Sequence, residues 1–160
     1  MDAVDVARAQ WRERRPDVDT SGMEVVARLL RLASVVAHRH DEALAASGLT
    51  TGEFEVLAAL RRADRPLRAR EVATLTSSPG ATATKRLDRL ADAGLVERRT
   101  FERDRRGVLV TLSDTGRALV DDVFPQHAAR ELALLEDLSD DERAGLAALL
   151  SRVLVAAERS

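Results

Sequence analysis

The chain has no cysteine and no tyrosine, and only one tryptophan and three phenylalanines among 160 residues. The missing thiols exclude a disulfide framework, a cysteine-ligated zinc site and a reactive-thiol sensor. With so few aromatic rings, the core must be built from aliphatic side chains. No run of apolar residues reaches the length of a membrane span. The N-terminus places Asp2 and Asp5 ahead of Arg8, without the basic and then apolar layout of a signal peptide. A cytoplasmic protein without membrane contact is expected.

What is present is charge and aliphatic bulk. Charged residues make up 32% of the chain and apolar residues 45%, enough for one domain with its own core. The net charge of −2 argues against a nucleic-acid partner until its distribution is read. Residues 1–60 carry a net −3, residues 61–113 a net +6, and residues 114–160 a net −5. A basic middle between acidic flanks suits one face that meets phosphates, although a solvated basic surface has the same composition.

Hydrophobic spacing and punctuation give the order of elements. Residues 2–15 read as a short helix with Val4, Ala7, Ala9 and Trp11 on its apolar side, stopped by Pro16. Ser21 is a candidate cap for a long helix over 23–47, which closes at Gly48. Thr50 and Glu53 form a capping box for a helix running to about Arg62, and Pro66 breaks the pattern. A brief helix follows from Arg68 to Leu75. Ser78 and Pro79 read as an N-cap and first helical residue, opening a helix that runs to Ala93. Leu95–Arg99 and Val108–Leu112 read as strands. A long helix from Asp114 to about Leu138, with Pro125 inside it, precedes a second capping box at Ser139 and Glu142 and a last leucine-rich helix.

Two short helices, a turn and a charged hairpin make a winged helix-turn-helix. In the helix over 79–93, Ala83, Leu87 and Leu90 share one face. Thr82, Lys85, Arg86 and Arg89 share another, with Thr84 beside them. The first set suits a core and the second suits base edges and phosphates. Ser78 and the helix N-terminus add donors for a phosphate. Between the strands stand Arg103, Asp104, Arg105 and Arg106. Arginine enters a narrow minor groove at lower desolvation cost than lysine, and Asp104 can orient a neighbouring guanidinium. His38, His40 and His127 lack metal-ligand spacing, His38 and His40 pointing to different sides of one helix, and no metal or cofactor is expected. No phosphate loop or nucleophile elbow is present, so an enzyme is not expected.

The segments Gly94-Leu95-Val96-Glu97-Arg98, Glu102 to Gly107 and Val110-Thr111-Leu112-Ser113 resemble the recognition-helix end and wing of the MarR family. The resemblance runs from about residue 23 to the end. The family's wing motif of an aspartate and an arginine two apart falls on Asp104 and Arg106. It implies a mostly α fold with minor β content and a two-stranded wing, and a homodimer on a double-stranded operator. The whole chain, 1–160, would be one domain. Residues 21–48 and 114–160 would dimerise and 50–113 would bind DNA, with 1–20 an added helix and turn.

That added segment, Ala9 to Thr20, looks like the extra helix of the family's urate-responsive branch, which also contains trans-aconitate responders. The resemblance implies an effector site of Trp11, Glu55, Arg86 and Arg98, with Glu55 standing where the branch has aspartate. Two arginines and an indole suit a flat anion such as urate, a related purine or a trans-aconitate-like acid. Each residue also has a purely structural reading: Trp11 as a helix anchor, Glu55 as an ion-pair partner, Arg98 as a solvated strand residue. The function implied is a ligand-released repressor. A constitutive or architectural DNA-binding dimer with no effector is the alternative.

Overall fold

The computed structural model describes residues 1–100 and 108–159. Helix α1 (Ala3–Arg14) is capped by Asp2 and Asp5 in a reciprocal box. Only its Val4 is buried, so hydrophobic contact alone holds it weakly. Ion pairs supply the rest. Arg28 on α2 (Met23–Leu44) reaches Asp2 and Asp5, and Arg8 pairs with Glu24. The chain enters α2 through Gly22 in helical conformation with no side-chain cap, so Ser21 does not take the capping role expected of it. At its far end α2 tightens into a 3-10 turn (Ala45–Ser47), and Gly48 then turns left-handed at φ 69°.

Helix α3 (Thr51–Ala63) opens on the Thr50–Glu53 capping box and buries Phe54, Val56, Leu57 and Leu60. It ends at Asp64, left-handed at φ 47°, before Pro66 is reached. Leu67 and Arg68 then form a short strand, β1, and the expected brief helix begins one residue later, at Ala69, with Arg68 at its N-cap. Leu67 pairs with Val110 and is fully buried, which fixes the segment as extended. Helix α4 (Ala69–Leu75) leads through a turn at Ser77, with φ 47°, to α5 (Gly80–Asp92). Pro79, not Ser78, is the N-cap of α5. The Ser78 hydroxyl is instead hydrogen-bonded to the Thr76 carbonyl at 3.0 Å.

Strands β2 (Val96–Thr100) and β3 (Val108–Leu112) are antiparallel, Arg98 opposite Val110. With β1 on the other side of β3, the sheet has three strands in the order β1-β3-β2, one more than the expected two-stranded wing. Helix α6 (Asp114–Ala133) is capped by Ser113 and carries Pro125 inside it. It stops short of Leu138 because the last residues wind into tight turns that lead to the next cap. In these, Leu135 donates to the Leu132 carbonyl and Leu138 to that of Leu135. Helix α7 (Asp140–Glu158) opens on the expected Ser139–Glu142 box.

The core lies where α3, α5, α6 and the sheet converge. Leu57, Leu67, Val72, Leu87, Leu90, Val110 and Val120 are essentially sealed from solvent there. The start of α6 meets the sheet closely: a Cβ on Gly116 would come within 1.9 Å of the Leu95 carbonyl oxygen. The outer helices are the opposite case. Helix α7 buries no residue at all, and α2 buries only His40 and Leu44. Val25, Val26, Leu30, Leu32 and Val35 on α2, and Leu149, Val153, Leu154 and Val155 on α7, are all exposed. Among the described residues, no helix is long and apolar enough to cross a membrane.

Candidate nucleic-acid interface and effector cleft

Helix α5 divides as its sequence predicts. Ala83, Leu87 and Leu90 are 0–2% exposed and seat the helix on the core. Thr82, Thr84, Lys85 and Arg89 face solvent, and Arg86 is half-buried. The Thr84 hydroxyl donates to the Gly80 carbonyl at 2.9 Å, so its oxygen remains available only as an acceptor. Arg89 is braced: its Nε lies 3.2 Å from Glu53, whose carboxylate is buried and also accepts from the Thr50 amide and hydroxyl. This pair ties the exposed helix to the N-terminus of α3. The guanidinium of Arg89 stays largely in solvent. The brace was not foreseen, although Glu53 already stood out as a capping residue.

Arg86, like Arg89, is engaged at the start of α3. Its Nη1 donates to Ser78 Oγ at 2.6 Å, and its guanidinium lies across Gly52. A Cβ at Gly52 would come within 2.2 Å of that guanidinium, so the absence of a side chain there lets the arginine lie flat on α3. Arg86 and Glu55 line one open cleft of about 750 Å³ with Asp41, Thr50 and Thr51. Asp41 accepts from the Thr51 hydroxyl at 2.6 Å, and this bond holds its carboxyl below the usual range. Glu55 also lines a neighbouring cavity of about 390 Å³ between α2, α3 and α6.

The other two residues of the expected effector set lie elsewhere. Arg98 on β2 pairs with Asp88 of α5 at 2.5 Å. Asp88 lies two residues from Arg86, on another side of the helix. Trp11 is half-exposed on α1, the helix that packs on α2. The structure thus joins Glu55 with Arg86 and leaves Trp11 and Arg98 outside their cleft. Arg103, Asp104, Arg105 and Arg106 lie outside the described residues.

Two buried histidines meet at the α2–α6 crossing, a meeting that the sequence reading of His40 and His127 did not foresee. The rings of His40 and His127 meet at a tilt of 51° with centres 4.3 Å apart, and the His127 ring centre lies 4.5 Å from that of Phe54. Spacing along the chain gives no sign of this meeting, because it depends on how two distant helices cross.

A short helix, a turn, an exposed polar helix and an antiparallel sheet define a winged helix-turn-helix protein. A family profile described as MarR family matches residues 47–107. The transcriptional regulator PecS of Dickeya dadantii is 36% identical over 146 residues, covering 90% of this chain and 88% of PecS. The chain belongs to the MarR family, whose characterised relatives here are transcriptional regulators rather than enzymes. AbsC of Streptomyces coelicolor superimposes with a TM-score of 0.79 at 23% identity, covering 89% of this chain and 99% of AbsC. BpsR of Bordetella bronchiseptica, whose DNA binding is regulated by 6-hydroxynicotinic acid, superimposes with a TM-score of 0.73 at 31% identity. That match covers 85% of this chain and 96% of BpsR.

Proposed function

We propose that the protein is a homodimeric repressor that binds a pseudo-palindromic DNA operator and is released from it by a small planar anion, urate or a related purine first and a trans-aconitate-like acid second. The observation that carries the reading is the division of α5. Its aliphatic face is buried, Thr82, Thr84, Lys85 and Arg89 are presented outward, and Arg86 is turned into a cleft with Glu55. The outward set supplies hydrogen-bonding and cationic groups for the major groove, and Arg103, Arg105 and Arg106, with Asp104 orienting them, serve the minor groove.

Release follows from the position of Arg86. A bound anion accepts from this guanidinium, pulls on the helix that reads DNA, and meets the carboxylate of Glu55. The repulsion moves α3 and, through the Glu53–Arg89 pair, shifts α5. The regulation of BpsR by a planar heteroaromatic acid supports this ligand class. The uncovered aliphatic faces of α2 and α7 support a second copy of the chain as the partner that buries them.

The test is titration of a labelled operator complex with urate, 6-hydroxynicotinate and trans-aconitate. The wild type should dissociate. Arg86→Ala should lose tenfold or more in ligand affinity, since a cationic hydrogen bond contributes about 1.5–3 kcal/mol. Glu55→Gln should bind the ligand and release DNA poorly. The positions of Trp11 and Arg98 outside the cleft favour a second reading, a DNA-binding dimer that no effector releases. Wild-type complexes that withstand all three ligands would establish that reading instead.

A further inference from the structure

We propose that His40, His127 and Glu131 form a binding site for a divalent transition-metal cation of the zinc class, stapling α2 to α6 beside the cavity that Glu55 also lines. One imidazole nitrogen of each histidine and a carboxylate oxygen of Glu131 all lie within 4.8 Å of one another. His127 and Glu131 stand one helical turn apart on α6, their Nε2 and Oε1 atoms 3.2 Å apart, and His40 comes across from the last turn of α2. Tetrahedral zinc with bonds of about 2.0–2.2 Å holds its ligand atoms roughly 3.4 Å apart, a spacing that small side-chain rotations reach from here.

A second observation points the same way. His40 is 9% exposed, and its buried Nε2 has no hydrogen-bond partner among the described residues. A buried imidazole nitrogen left unpaired costs free energy, so a built-in one is explained by a partner that the protein itself does not supply. The same residues open on the 390 Å³ cavity, which gives a cation an entry path and leaves room for a fourth ligand such as water. Two imidazoles and one carboxylate suit zinc, cobalt or nickel, whereas calcium and magnesium prefer all-oxygen sites.

The test is titration of chelator-treated full-length protein with Co²⁺, read by visible absorption, then displacement by Zn²⁺. One cobalt per chain should bind with the spectrum of a low-coordinate nitrogen and oxygen site, and excess Mg²⁺ should not displace it. His40→Gln and His127→Gln should abolish the signal. Glu131→Gln should weaken binding at least about tenfold. Glu131 is exposed, so this variant keeps the fold and carries the test even if the histidine variants do not fold. His38 and Glu42, an exposed pair one turn apart on α2, are the natural competitor, and His38→Gln should leave binding unchanged. Absence of saturable binding, wild-type affinity in Glu131→Gln, or loss of binding in His38→Gln would each overturn the proposal.

Discussion

His127 shows how one side chain acquires a pH dependence from its neighbours. Burial comes first and the charge of His40 second in lowering its pKa below the ordinary 6.5, with Arg130 adding to them and Glu131 opposing. A lowered folded-state value means that the unfolded chain takes up the proton more readily. This contribution to stability is therefore complete above about pH 6.5 and is lost as pH falls from there toward the folded-state value. Thermal melts of metal-free protein should show the melting temperature falling between about pH 7 and pH 5. His127→Gln should flatten that slope. Equal slopes in the two proteins would show that His127 does not titrate as its surroundings require. At the same scale, Arg86 and Arg89 illustrate how far a residue type can be read. Both were legible as cations on one helix face. Their division of labour was not, because it depends on Gly52 being bare beneath one and on Glu53 being buried beside the other.

At the scale of elements, helix α1 is held less by apolar burial than by charge. Arg28 draws the Asp2 carboxyl down by a direct hydrogen bond, and the Asp2 amide, with Arg28 behind it, does the same for Asp5. Both folded-state values lie below the ordinary 3.8, so the support these carboxylates give is present above that pH and is lost as pH falls below it. Trp11 is the only tryptophan and tyrosine is absent, which makes its emission a direct reporter of α1. Emission should shift to the red on acidification below about pH 4, and Arg28→Gln should show the shift already at neutral pH. An unchanged spectrum in Arg28→Gln would mean that α1 is held otherwise.

The contact of α6 with the sheet makes the contrasting prediction. Gly116→Ala would drive a methyl group into the Leu95 carbonyl and should cost about 1–3 kcal/mol by chemical denaturation, as overpacking does. A midpoint equal to wild type would show that the backbone there yields freely. Elements with local signals were readable in the chain: both capping boxes, the Gly48 closure, and the two faces of α5. Strand β1 was not, since two residues carry no period and only pairing with Leu109 and Val110 makes them a strand. The early end of α6 and the uncapped start of α2 were likewise decided by neighbouring turns rather than by composition.

At the scale of the whole molecule, the chain joins a sealed lobe to an unsealed pair of helices. The basic segment 61–113 contains the end of α3 and all of β1, α4, α5, β2 and β3, whereas the acidic flanks contain α1, α2, most of α3, α6 and α7. In the proposed dimer this separation would let one surface meet phosphates while another meets a second copy, keeping the basic regions apart. Two copies related by a two-fold axis would present two α5 helices to half-sites about one helical turn, roughly 34–36 Å, apart. The measurement that bears most directly on this account is a fluorescence-anisotropy titration of operator duplexes carrying single-base substitutions, with stoichiometry read from sedimentation of the complex. The account predicts two chains per duplex. Thr82→Ala and Lys85→Ala should change the preference among substituted sites by about 1–3 kcal/mol. Binding of one chain per duplex, or an unchanged ranking of sites in both variants, would contradict the assignment of α5 as the helix that reads DNA.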